Sequence, residues 1–179
     1  MNEKIRWITR AAVLIALLVV LQAVTMPLGY TLITGSVVNL ILIISVMTSG
    51  LPVGLSVAVV APVMSKLLGI GPLWSLIPFI AVGNIVLVLF WHIIGNRNIV
   101  NYYISHITAL VAASVLKFCV LYFSIVRIAI PLILGLSEQQ AAVVSNMYSI
   151  PQLATASIGG AIAILILPTL KKAIKKDGD

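Results

Sequence analysis

The sequence predicts an all-α membrane protein: a bundle of six transmembrane helices with both termini on the cytoplasmic side. Three observations predict it. Hydrophobic residues make up 61% of the 179 residues and charged residues only 8%. A soluble domain carries about 25% charged residues, and none of this length buries so much apolar surface. Apolar runs of about 15–25 residues alternate with Gly, Pro and polar clusters, and about 20 residues cross a bilayer core. Basic residues gather beside the outermost runs: Lys4, Arg6 and Arg10 before the first, and Lys171, Lys172, Lys175 and Lys176 after the last. The whole chain, residues 1–179, reads as one compact bundle with no soluble catalytic module.

The elements follow in order. The first span is expected over about 5–26, stopped by Pro27 and Gly29. Its apolar run, from Ala11 to Met26, exceeds the hydrophobic stretch of a cleaved signal and lacks a small-residue cleavage site, so it reads as a span. The second, over about 36–48 before Gly50 and Pro52, is short for a crossing. The third covers about 53–68 and ends at "GIGP"; the fourth covers about 74–94; the fifth covers about 99–128. A longer stretch, Ala129 to Met147, contains Glu138. The sixth span runs over about 148–170 into the lysine tail.

Six crossings put both termini on one side, and the basic ends make that side cytoplasmic by the positive-inside rule. The "GNRN" connection, with Arg97, falls on the same side. The formal net charge of +7 therefore marks membrane orientation, and no nucleic-acid partner is expected. The lone Cys119 cannot form an internal disulfide and reads as a buried structural residue. "MPLGYTLITGS" and "LLGIGPLW" fall on the outer side. With Tyr30, Thr31, Thr34 and Trp74 they could lid a cavity that opens outward, or anchor the bundle at the interface.

The inventory of reactive groups is short. The only acids are Glu3, Glu138, Asp177 and Asp179, which leaves nothing for a metal site or a proton relay of membrane carboxylates. There is no HExxH, no GxSxG and no phosphate loop with its lysine. A non-catalytic chain without cofactor or metal is expected, one that cannot itself hydrolyse ATP.

What remains is polar groups inside the spans. Lys117 stands near the middle of the fifth, in "LVAASVLKFCVLYF". A snorkelling lysine would have to cross roughly 10–15 Å of hydrocarbon from there, so an inward lysine is expected. Tyr103, His106, Ser114 and Ser124 fall within about 60° of it at helical spacing, giving one polar stripe. Asn39, Asn84 and Gln152 bring amides from three other spans. Amides often only bridge helices; three of them with a central lysine read as a lined pocket. Lys66 and Arg127 end their spans near the outer side and would add positive charge suited to a carboxylate or phosphate. His92 and His106 lie toward the cytoplasmic side and read as structural. Small residues four apart, Ala12 with Ala16, Ala156 with Gly160, and Gly159 with Ala163, allow close helix approach.

A six-span chain with a basic start, an alanine-rich first helix carrying AxxxA, "TGSVVN" after the first outer loop, "IPFIAVGN" in the fourth span and "QLATASIGG" in the sixth resembles an S component. S components are the substrate-binding membrane subunits of energy-coupling factor transporters, ABC-type importers of vitamins and micronutrients in prokaryotic plasma membranes. The resemblance covers nearly the whole chain. It implies a cavity near the outer face, capped by the first and third outer-side connections and holding a vitamin. It implies a transmembrane coupling subunit and two cytoplasmic ATPases as partners, with Ala12 and Ala16 as the surface that docks on the coupling subunit. It also implies that the chain topples in the membrane to release substrate inside. The pocket residues match no single vitamin subgroup.

On this reading Lys117 pairs with an anion of the substrate while Asn39, Asn84 and Gln152 hydrogen-bond its polar atoms, with Lys66, Arg127, Tyr30 and Trp74 around the mouth. Pantothenate or a folate is favoured over a flat-ring ligand that needs aromatic stacking, such as riboflavin, and cobalamin stays open. Two other classes compete: a self-sufficient permease or channel, and a membrane enzyme or assembly factor.

Overall fold

The computed structural model describes residues 3–29, 31–97 and 101–176, and the side chains of 5–29, 31–97 and 101–174. Every regular element among them is helical. Helix α1 (Glu3–Thr25) ends in a 3-10 turn over Met26–Leu28, closed by Gly29 in the left-handed region. Then come α2 (Thr31–Ser49), α3 (Leu51–Leu67), a 3-10 turn over Trp74–Leu76 leading into α4 (Ile77–Gly95), and α5 (Tyr102–Leu121). A π-helical stretch over Tyr122–Leu134 carries α5 onward, and α6 (Glu138–Met147) and α7 (Ile150–Lys176) complete the chain. Five helical segments are long and apolar enough to cross a membrane; α3, at 17 residues, is the short sixth apolar helix. The chain is an all-α membrane bundle.

The boundaries differ from the sequence expectation for local reasons. The second helix begins at Thr31 rather than at about 36, because its polar first turn is carried by the helix itself: the Ser36 hydroxyl donates to the Leu32 carbonyl. Pro52 and Pro78 do not delay α3 and α4. Each sits in the first turn, where the missing N–H costs nothing, so α3 starts at Leu51. Helix α5 starts at Tyr102 because the Asn101 side chain accepts the Ile104 N–H at 2.9 Å; positions 99 and 100 of the expected span lie outside the described residues. Its far end passes 128 and Pro131 to reach Leu134. The stretch that received no element holds α6, opened by a capping box between Ser137 and Gln140. The last helix begins at Ile150 and reaches Lys176, past the expected 170.

Apolar attraction between helices is weak in lipid, so close packing of small residues holds a membrane bundle together. Helix α7 meets α2 at Gly159, where a Cβ would stand 2.6 Å from the Ser36 carbonyl oxygen, and at Gly35, where a Cβ would stand 2.7 Å from Thr155 Cγ2. Helix α4 meets α5 at Gly83, against Leu121. Leu42, Ile43, Val57, Leu87, Val88 and Trp91 fill the centre and are fully buried. Ala12 and Ala16 face away from it and are exposed. These contacts fix how α2, α4, α5 and α7 face one another, and the buried polar groups lie where they converge.

Candidate ligand-binding site

Lys117 is the centre of the site. It is only 2% exposed, and its Nζ donates to Asn39 Oδ1 at 2.6 Å and to Asn84 Oδ1 at 2.7 Å. Three helices are therefore tied at one ammonium group. The amides are oriented by it: both oxygens face the cation, so both NH2 groups turn away. Asn39 Nδ2 donates to Thr155 Oγ1 at 3.2 Å, which brings in α7, and Thr155 Oγ1 donates on to the Gln152 carbonyl at 3.2 Å. Asn84 Nδ2 donates to the Ala58 carbonyl of α3 at 3.4 Å.

This cluster forms the floor of a cavity of about 470 Å³, within the range of sites that take small organic ligands. The walls come from the end of the bundle where α1 finishes and α7 begins. Gln22 and Met26 stand on one side, Thr31 and Thr34 on another, Ile70 to Pro72 of the α3–α4 connection across from them, and Tyr148 and Gln152 on the fourth. Gln22 Oε1 accepts the Ser65 hydroxyl at 2.7 Å, bracing α1 on α3. Gln152 Nε2 donates to the Met147 carbonyl at 3.0 Å, closing the turn between α6 and α7.

The unspent hydrogen-bonding capacity of the floor is mostly donor. An ammonium has three N–H groups and an amide two. Two of the ammonium's and one of each amide's are used within the protein, which leaves one donor on Lys117, Asn39 and Asn84 alike. Among the described residues the cavity lining holds no carboxylate, and Lys117 is its only charged side chain. A buried cation held only by neutral amide oxygens, without a counter-ion among the described residues, favours an anionic partner.

The structure brings Lys117, Asn39, Asn84 and Gln152 to one cavity, and both outer-side connections named in the sequence contribute to its wall. It does not bring the other expected residues there. Lys66 is half-buried beneath its own connection, since Gly71 folds back to put a Cβ position 2.7 Å from the Lys66 backbone nitrogen. Arg127 is exposed and lies over the Tyr122 ring at 5.5 Å, on the outer face of its helix. Trp74 is 55% exposed on the perimeter, the position of an interface anchor. Tyr30 lies outside the described residues.

The polar stripe of α5 is also narrower than expected. His106 and Ser114 are buried with Lys117, but Tyr103 is 61% exposed, and Ser124 spends its hydroxyl on the Val120 carbonyl. His106 stacks on Tyr102, with ring centroids 4.0 Å apart, and packs edge-on to Trp91.

Gln22 and Thr155 are the site residues that sequence reasoning missed. Gln22 was visible as the one amide in the first span. Thr155 lay inside a quoted segment but gave no signal of its own. Comparison with protein-family models, curated proteins and solved structures finds no match for this chain.

Proposed function

We propose that the chain is a substrate-binding membrane subunit of the S-component type, capturing a small anionic nutrient for an importer powered by partner proteins. The observation that carries this reading is Lys117: a fully buried ammonium without a counter-ion among the described residues, at the floor of an open-ended 470 Å³ cavity. The ligand supplies the missing negative charge. Its carboxylate, or an equivalent oxyanion, takes the free N–H of Lys117 and those of Asn39 and Asn84, while Gln22 and Gln152 meet polar atoms nearer the mouth.

Cavity size selects within that class. A compact acid such as pantothenate fits below the connections; a folate must extend its length through the mouth; a corrinoid is too bulky for the enclosed volume. The arginines and lysines at the other end of the bundle favour cytoplasmic termini and hence a cavity facing outward, where a scavenged nutrient arrives. The sequence carries no phosphate loop with its lysine, and on this reading the coupling subunit and ATPases implied by the family resemblance supply the energy, with Ala12 and Ala16 on the exposed face of α1 available for docking.

The test is twofold. Mass spectrometry of small molecules retained through purification should find an anionic metabolite in the wild type and none in the Lys117→Met variant. Sealed vesicles containing this chain alone should bind that metabolite without moving it across the bilayer. Flux through such vesicles would make the chain a self-sufficient permease and overturn the reading.

A further inference from the structure

At the opposite end of the bundle a second cavity, of about 270 Å³, is lined by Arg6, Trp7, Arg10, Ser49 and Val53. Arg6 and Arg10 are one turn apart on α1, so both guanidinium groups reach the same opening. Neither has a hydrogen-bond or ion-pair partner among the described residues. The opposite wall belongs to the α2–α3 turn, with the half-buried Ser49 hydroxyl beside the start of α3. Gly50 begins that helix at φ +88° with no side-chain cap, and Pro52 in its first turn carries no N–H, so the backbone there adds few donors. Two guanidinium groups without a partner among the described residues, with a hydroxyl across one hollow, suit the oxygens of a phosphate.

The level of the hollow tells which phosphate. The largely apolar run from Ala11 to Met26, broken only by Gln22 and Thr25 near its far end, is about 24 Å long at 1.5 Å per residue, shorter than the bilayer's hydrocarbon core of about 30 Å. Arg10 therefore stands at the edge of the acyl region, where a lipid's own phosphate lies and free phosphate is scarce. Trp7, 41% exposed, is placed at headgroup depth as tryptophans are.

We infer that this hollow is a specific site for the phosphodiester headgroup of an anionic lipid, wedged between α1 and the α2–α3 turn. It differs from general attraction to a charged surface because it has a shape. An occupant in it fixes the position of α1, the helix whose outer face carries Ala12 and Ala16.

Native mass spectrometry of the full chain, released from mixed phosphatidylglycerol and phosphatidylcholine, tests the site. One phosphatidylglycerol should remain bound, preferred over phosphatidylcholine by about tenfold or more, as two interfacial arginines supply. Arg6→Gln with Arg10→Gln should abolish the preference. Ser49→Phe, which fills the hollow and keeps both arginines, should abolish it too, with Ser49→Leu as the smaller filler should the first fail to fold. Preference lost in the arginine variant but kept in the fillers would show diffuse charge attraction and overturn the site. Equal retention of phosphatidylcholine, or displacement of the lipid by millimolar inorganic phosphate, would overturn the headgroup assignment.

Discussion

At Lys117 one ammonium group holds two amide oxygens from two other helices, and every expectation at the scale of single residues follows from that arrangement. Replacing Lys117 with Met removes the cation and keeps most of its volume. Affinity for the anionic ligand should fall by at least about 2 kcal/mol, some thirtyfold, since hydrogen bonds to charged groups are about twice as strong as neutral ones. The melting temperature should hold, because an uncompensated buried charge is removed with them; calorimetry and thermal unfolding read the two effects separately. Asn84→Asp is the sharper test. It places a carboxylate 2.7 Å from Nζ, giving the lysine an internal counter-ion. Titration should then show ligand binding weakened by at least about tenfold, with stability unchanged or raised. Unaltered binding in that variant would remove the charge-pairing account. The lysine and its amides were legible in the sequence because polar atoms are rare and costly in lipid. Lys66 and Arg127 misled because a cation at a helix end has two places to go, inward or toward lipid phosphate, and spacing does not choose between them.

Helices α2 and α7 show how elements set the site. Their contact at Gly159 leaves no room for a methyl group beside the Ser36 carbonyl. Gly159→Ala should force the helices apart and destabilise the bundle by about 1–3 kcal/mol, read as a lower midpoint in thermal or denaturant unfolding. Because Asn39 and Thr155 bond across the same seam, ligand affinity should fall alongside. The same change at Gly29, where the added Cβ meets nothing within 4 Å, acts only on the local turn. Spans one, three and four lay close to where hydropathy put them, and span six began close to its expected start but ran on to Lys176. The start of α2 was hidden by threonines and a glycine that read as loop, and Gly35 is where Thr155 of a distant segment packs too closely for a Cβ. The end of α5 was hidden by Pro131, which an α-helix excludes from its interior; the wider π-helical turns carry the chain past it. Thr155 escaped notice for the reason Gly35 did: its role exists only once α2 and α7 touch. Such long-range pairings are not written in any local run of residues.

One end of the whole molecule is rich in cations and the other holds the 470 Å³ cavity. In a variant with Cys119 replaced by Ala, Ser137→Cys at the start of α6 should react with a membrane-impermeant maleimide added outside intact cells. Asn96→Cys, beside Arg97, should react only after permeabilisation; both native residues are exposed, and the reverse pattern would invert the orientation. The bundle's helices also differ greatly in reach. Helix α3 has 17 residues, while α5 with its π-helical extension has 33, or about 25 Å against about 50 Å at α-helical rise. A lipid slab of roughly 30 Å cannot match both. It must dimple beside the one and let the other slope or protrude, so the protein rides askew and carries a collar of deformed lipid. Any neighbour that flattens the collar on contact is drawn to it by membrane elasticity alone, before a single side chain has touched.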